Sequence, residues 1–88
     1  MVDQTVPVVL IVADHCHLCE RARKVLTSVA RETPLTLREL SWQSEEGSFL
    51  VQRDGVPFPP ALYISGSLAG YGRLSERAVH SKLTEEGR

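Results

Sequence analysis

Cysteines and aromatic residues are scarce in this chain, and it has no long hydrophobic run. Its 88 residues include two cysteines, one tryptophan, two tyrosines and two phenylalanines. Two cysteines are too few for the disulfide framework of a small secreted protein. The apolar run near the N-terminus is too short to cross a bilayer. Because it also lacks a basic flank and a small-residue cleavage site, we expect neither a membrane partner nor a signal peptide.

An excess of charge of one sign is also missing. Ten basic and eleven acidic residues give a formal net charge of −1, and the sequence pI is about 6.3. Without a basic patch, nucleic acid is not an expected partner. The length suits a single domain over residues 1–88, expected to be monomeric. The expected compartment is the cytoplasm, where a disulfide is more often catalytic than structural.

The two cysteines that are present lie at a change of pattern. Residues 8–13 are apolar without a break and short enough for a buried strand, and apolar residues then recur at helical spacing. Cys16 and Cys19, separated by two residues, therefore stand between a strand and the first turn of a helix. A C-x-x-C pair in that position is typical of a redox-active thiol pair.

The start of a helix favours an anion at Cys16. Unpaired backbone N–H groups and the positive end of the helix dipole stabilise a thiolate there. Cys19 follows on the same helical face and can close a small disulfide ring with Cys16. His15 and His17 flank Cys16, and either, when protonated, would favour the thiolate further and so tune the redox potential. Alternatively, both histidines are simply solvated loop residues.

Three interpretations of the cysteine pair remain open: redox exchange, a metal site and a purely structural pair. Zinc takes four ligands, usually two cysteine pairs or one pair and two suitably spaced histidines. His15 and His17 are too close to the cysteines to complete a relaxed tetrahedron, and His80 is distant, so no metal site is expected in one chain. Cysteines from two chains could still ligate an iron–sulfur cluster. An interaction module without turnover is a further alternative.

The rest of the sequence predicts an α/β fold with the element order β-α-β-α-β-β-α. The predicted strands cover residues 6–13, 35–42, 61–64 and 67–70, and the predicted helices cover residues 17–31, 44–53 and 76–85. The first strand, apolar on both faces, should be interior and the second should be an edge strand. Right-handed crossovers then give a four-stranded mixed sheet flanked by helices. The last helix should bury Ala78, Val79 and Leu83, and residues 1–5 and 85–88 should be ragged ends.

With these elements in place, the chain resembles a small glutaredoxin-like protein of the thioredoxin fold over about residues 6–83. The resemblance rests on the C-H-L-C motif at the strand–helix junction, on P-A-L-Y-I-S-G at residues 60–66, and on Gly70 and Gly72 before the last helix. It implies a thiol–disulfide oxidoreductase that works through a mixed disulfide.

The resemblance also implies roles for individual residues. Cys16 would be the nucleophile and Cys19 the resolving thiol. The peptide bond before Pro60, or before Pro59 if the register shifts by one, would be cis and lie beside the active site. The residues expected to contact substrate are Phe58, Pro59, Pro60, Tyr71 and Arg73.

The chain departs from typical glutaredoxins at the glutathione site. Those proteins carry a proline and an aromatic residue between the cysteines, and a Gly-Gly pair followed by an acid that holds glutathione. This chain has His17 and Leu18 between the cysteines and A-G-Y-G-R-L at residues 69–74, where Arg73 could instead pair a carboxylate. No cofactor is expected, and glutathione should be a poor specific reductant. The expected partners are a disulfide-containing protein or small thiol substrate and a reductase or low-molecular-weight thiol.

Overall fold

The computed structural model describes residues 5–86 of the chain. Its elements are β1 (Val6–Val12), α1 (His17–Ala30), β2 (Leu35–Ser41), α2 (Glu45–Arg53), β3 (Ala61–Ile64), β4 (Ser67–Tyr71) and α3 (Glu76–Glu86). The predicted order is confirmed, and the bounds differ from the predicted ones by one residue at several ends. Of the expected ragged ends, residues 1–4, 87 and 88 lie outside the described residues, and residues 85–86 are helical.

The four strands form one mixed sheet in the order β2-β1-β3-β4. β1 runs parallel to β2 and antiparallel to β3, and β3 pairs with β4 as an antiparallel hairpin. β1 is interior and β2 lies at the edge, as predicted. A strand that is apolar on both faces needs cover on both sides of the sheet, whereas the exposed side chains of β2 suit an edge.

The helices divide the core into two layers, because alternate residues of β1 face opposite sides of the sheet. Val6, Val8 and Leu10 pack with buried residues of α1 and α3, while Ile11 packs with Val51 of α2 on the other face. The prediction for α3 was wrong at one position: Val79 and Leu83 are buried but Ala78 is exposed. Residues four apart share a helical face, and the residue before Val79 is turned away from it.

The turn from β2 into α2 is held close to the end of β2. Ser44 caps α2, and its Oγ accepts a hydrogen bond from the Gly47 N–H at 3.0 Å. The same Oγ donates to the carbonyl of Ser41 at 2.7 Å. A Cβ on Gly47 would collide with that carbonyl oxygen, which accounts for a glycine inside a short helix. The loop that contains Trp42 therefore has a defined position beside the end of β1.

A hydrogen-bonded group joins the end of α2 to β3. Tyr63 is fully buried, and its hydroxyl lies 2.9 Å from both the Leu50 carbonyl oxygen and Asp54 Oδ2. Burial, and then the hydrogen bond to Asp54, raise the pKa of Tyr63 to about 12. The hydrogen bond from Arg53, and then the one from Tyr63, lower the pKa of Asp54. These contacts anchor the start of the loop that runs from residue 55 to residue 60.

The hydrogen bonds among Tyr63, Asp54 and Arg53 predict how the free energy of unfolding depends on pH. Because the pKa of Asp54 is lowered by folding, its contribution is complete above about pH 4 and is lost as the pH falls through the folded-state pKa. The pKa of Tyr63 is raised, so its contribution is complete below about pH 10 and is lost as the pH rises through about 12. Urea unfolding at a series of pH values measures the free energy of unfolding. Below about pH 4 this free energy should fall less steeply with decreasing pH in Asp54→Asn than in the wild type, and an equal dependence in the two proteins would contradict the assignment.

Tyr63→Phe removes the hydroxyl from this group. It should lower the free energy of unfolding by about 0.5–1.5 kcal/mol at neutral pH.

Candidate functional site

Cys16 occupies the N-cap position of α1, directly after the loop that follows β1. Its backbone is extended, with φ −119° and ψ 106°, and its Sγ accepts a hydrogen bond from the Cys19 N–H at 3.1 Å. A sulfur atom thus takes the place of the oxygen that usually caps a helix. Cys16 and Cys19 form a disulfide, with Cα atoms 5.2 Å apart. The cysteine pair therefore lies at the start of α1, and the Cys16 sulfur caps that helix.

The two cysteines differ in accessibility. Cys19 is 0 % exposed, whereas Cys16 is only partly buried. No charged side chain among residues 5–85 is buried, so this part of the chain offers no buried carboxylate to take a proton from Cys19. His15 and His17 are exposed on either side of Cys16, and His15 has a φ of 55°, which turns the chain from β1 into α1. Only Cys16 can be reached by the disulfide of another molecule.

The cysteine loop lies at the same end of the sheet as the proline-rich loop. Ile11 of β1 is paired with Ala61 of β3, and Ala61 is paired with Tyr71 of β4. The residues that follow β1 and β4 therefore lie at the same end as those that precede β3. The Pro59–Pro60 peptide bond is cis, and Pro60 is buried.

An aromatic pair covers this side of the site. The rings of Phe58 and Tyr71 meet edge to face, with centroids 5.5 Å apart and an interplanar angle of 84°. Phe58 is 48 % exposed and Tyr71 44 % exposed, so the pair presents an apolar surface to solvent. Gly72 has a φ of 73°, and a Cβ there would lie 2.8 Å from Phe58 Cε1. A glycine is thus needed for both the backbone and the ring. Arg73, next along the chain, is exposed and makes no ion pair with the other described residues.

A small pocket lies on the opposite side of the cysteine loop, between the ends of β1 and β2. Val12 pairs with Ser41, and its carbonyl accepts a hydrogen bond from the Trp42 N–H at 2.7 Å. The pocket has a volume of about 190 Å³ and is lined by Ala13, Asp14, Ser41, Trp42 and Gln43. From the sequence alone, a single aromatic residue at a strand end such as Trp42 is a stacking platform or, more often, core or a half-buried cover, and Asp14 has no assigned role. A right-handed crossover after the first strand, which makes the first two strands parallel neighbours, is the signal that could have brought the two residues together.

A wider groove of about 440 Å³ lies at the other end of α1, lined by Glu32, Glu76, Arg77, His80 and Ser81. It is separated from the cysteines by the length of a helix of 14 residues, about 20 Å. Its acids already have partners, since His80 Nε2 lies 3.7 Å from Glu32 Oε1 and Ser28 Oγ donates to Glu76 at 2.7 Å. His80 is therefore remote from the cysteines, as expected.

Metal binding and membrane insertion both depend on groups that the described residues can be examined for. Over residues 5–85, no three histidine, cysteine or acidic side chains come together as a set that could hold a metal ion. No helix in the described part of the chain has the length and apolarity needed to cross a membrane.

Comparison with solved structures identifies the architecture. A thioredoxin mutant from Halobacterium salinarum superimposes with a TM-score of 0.71 over 94 % of this chain and 75 % of its own, at 21 % identity. The chain has the thioredoxin fold. A thioredoxin from Aeropyrum pernix gives a TM-score of 0.66 at 18 % identity, covering 93 % of this chain and 75 % of its own. Thioredoxin-2 of the malaria parasite gives 0.65 at 15 % identity, covering 92 % of this chain and 82 % of its own. No protein-family model and no curated protein matches the sequence.

The unequal exposure of the two cysteines in this thioredoxin fold predicts unequal reactivity. In the disulfide form Cys16 is partly exposed and accepts a backbone N–H bond, whereas Cys19 is enclosed, and we expect the reduced pair to keep this difference. Brief alkylation with iodoacetamide at mildly acidic pH should label Cys16 well before Cys19. Peptide mass spectrometry measures the two sites separately, and full unfolding in urea is the control that should make them equal. Faster labelling of Cys19 in the folded protein would show that the roles are reversed.

Proposed function

We propose that this protein is a thiol–disulfide oxidoreductase with Cys16 as the nucleophile and Cys19 as the resolving thiol. The observation that carries the proposal is the geometry of the pair: an accessible sulfur at the N-cap of α1, bonded by disulfide to a fully buried one. A structural disulfide would not require one sulfur to accept the backbone N–H of its own partner at a helix start. The thioredoxin fold is consistent with this chemistry.

The proposed reduction of a substrate disulfide has two exchange steps. The Cys16 thiolate attacks one sulfur of the substrate, and the other substrate sulfur leaves as a thiolate and takes a proton from solvent. Cys19 then loses its proton and attacks the sulfur of Cys16. The second substrate thiolate leaves, and the Cys16–Cys19 disulfide forms. Two electrons have passed from the protein to the substrate, and an external thiol must return them before the next cycle.

The proposed partners follow from the surfaces on the two sides of Cys16. We infer that Phe58, Pro59, Pro60 and Tyr71 contact a disulfide-containing protein or small thiol substrate, because the exposed rings of Phe58 and Tyr71 and the cis-proline loop lie at the same end of the sheet as the cysteines. The Pro60 side chain is buried, so its contact with substrate would be through the backbone of the loop. His15 and His17, exposed and adjacent to Cys16, are proposed to tune its reactivity. We further propose a cytoplasmic, glutaredoxin-like protein that needs no cofactor besides its external reductant.

Insulin reduction driven by dithiothreitol tests the function. We expect turnover by the wild type and none by Cys16→Ser, because no other accessible thiol is present. Cys19→Ser should attack once and remain as a mixed disulfide with its target, which non-reducing gels and mass spectrometry detect. His80→Ser, remote from the site, is the matched control and should behave as the wild type does. Exchange that survives Cys16→Ser would refute the proposal. Visible iron–sulfur absorbance in the purified protein would instead favour a cluster carrier.

Glutathione is predicted to be a poor specific reductant. The acid that would hold it in a typical glutaredoxin is replaced by the 69–74 segment, in which Arg73 carries the only charge. Reduction coupled to glutathione and its reductase should therefore be slow compared with the same assay driven by dithiothreitol. Arg73→Ala provides the control. A fast glutathione-dependent rate that this substitution removes would show that Arg73 replaces the missing anchor.

A further inference from the structure

We propose that the pocket of Asp14 and Trp42 binds an arginine side chain of the protein substrate, close to the disulfide that Cys16 attacks. The proposal rests on the proposed function, since it names a substrate feature recognised beside the same thiol. Nothing in the exchange chemistry itself requires this pocket. Its residues, its position and its charge are the observations that carry the inference.

The position of the pocket places an occupant next to the reacting sulfur. Asp14 precedes Cys16 by two residues, in the loop that links β1 to α1. Trp42 follows β2 directly, and its N–H bond to the Val12 carbonyl holds the end of β2 beside that loop. Ser41 is fixed as well, because its Oγ accepts the Gln43 N–H at 3.1 Å. The lining is therefore formed by the hydrogen-bonded end of β2 and the residues after it, together with the two residues that follow β1.

The charge of the pocket is a carboxylate without a counter-ion. Three acids on or beside β2 and α2 are paired: Glu39 with Arg23, Glu46 with Arg38 and Asp54 with Arg53. Asp14 and Glu45 are exposed and have no ion pair with a described residue, and of these two only Asp14 lines a pocket. Asp14 makes no hydrogen bond or ion pair with any other described residue, and no basic side chain lines the pocket. No described residue provides a positively charged group for Asp14, so a cation from a bound molecule would be the complementary partner.

The shape and the aromatic wall favour arginine among positively charged groups. A volume of about 190 Å³ is below the range of about 300–1,000 Å³ typical of whole small-molecule ligands, so a single side chain is the better fit. Trp42 is partly buried, packs against the core cluster of Ile11 and Val51, and is among the residues that line the pocket with Asp14. A planar guanidinium can stack on an indole and donate two parallel hydrogen bonds to one carboxylate, which an ammonium group cannot do.

The two sides of the cysteine loop would then recognise different substrate features. The aromatic pair of Phe58 and Tyr71 lies toward β3 and β4, and the pocket lies toward β2. A substrate strand that crosses Cys16 would place apolar residues on one side and an arginine on the other. Such a strand would be bound in one direction, because exchanging the two sides would take the arginine away from the Asp14 carboxylate.

Matched disulfide peptides test the proposal. Each peptide has one disulfide and carries either arginine or its neutral isostere citrulline. The series places that residue at several positions beside a cysteine. For each peptide, kcat/KM for reduction is measured with dithiothreitol as reductant. We expect arginine at one position to raise kcat/KM by about threefold to fivefold over citrulline, as for a partly exposed ion pair. This ratio should approach one in Asp14→Asn and fall with added salt. Glu85→Gln, an exposed acid on α3, is the control that should retain the ratio.

The ratio isolates the pocket from general effects on Cys16. Removing a charge near Cys16 changes the rate for every substrate, but the arginine-to-citrulline ratio changes only if the guanidinium interacts with Asp14. An equal rate for both peptides in the wild type would overturn the proposal while leaving the oxidoreductase function intact. Dependence on Asp14 for cystamine, a small disulfide with two amines, but for no arginine peptide would also overturn it, because the occupant would then be a small amine.

A binding measurement separates this proposal from the proposed function. Trp42 is the single tryptophan of the chain, so tryptophan fluorescence reports on the pocket and on the core against which Trp42 packs. Arginine peptides with serine in place of cysteine should change this fluorescence in the oxidised wild type and should do so much less in Asp14→Asn. If no peptide is reduced but this signal is present, the oxidoreductase function fails and the pocket stands. If peptides are reduced but neither the ratio nor the signal appears, the pocket proposal fails.

Discussion

The burial of β1 is the constraint on which the rest of the structure depends. This strand is hydrogen-bonded to a neighbour along each edge and covered by helices on each face, so its position and register are defined on all sides. Its last residue, Val12, still takes part in these contacts through Ser41 and Trp42. The cysteine loop begins directly after that residue. The cysteine pair, which follows on a short loop, is therefore held by an interior strand.

The thiol at the start of α1 links redox state to helix capping. In the oxidised form the Cys16 sulfur accepts the Cys19 N–H, a bond that a thiolate would accept more strongly because it is charged. The same free backbone groups that every helix exposes at its N-terminus thus favour the reactive form of Cys16. Cys19 gains no comparable access to solvent, since it lies inside the protein. The different roles proposed for the two sulfurs follow from their positions on one helical turn.

The surfaces around Cys16 differ because different strands supply them. The hairpin of β3 and β4 brings together Phe58 and Tyr71, and Gly72 allows the two rings to meet. The parallel pairing of β1 with β2 forms the polar pocket that contains Asp14. The hydrogen bond between Tyr63 and Asp54 holds the end of α2 against β3 and so positions the beginning of the proline-rich loop. Interactions remote from the thiols therefore determine what a substrate would encounter beside them.

The sequence by itself determined the order of elements, the interior position of β1 and the arrival of Cys16 at a helix start. These features depend on periodicity, caps and turns, which involve residues within a few positions of one another. Ala78 shows the limit, because its apolar character could not reveal which face of α3 meets the core. Only the tertiary structure decided that Asp14 and Trp42 line one pocket and that the rings of Phe58 and Tyr71 meet. Those residues are distant in sequence, and they become neighbours only when parallel and antiparallel pairing brings the ends of different strands to one end of the sheet.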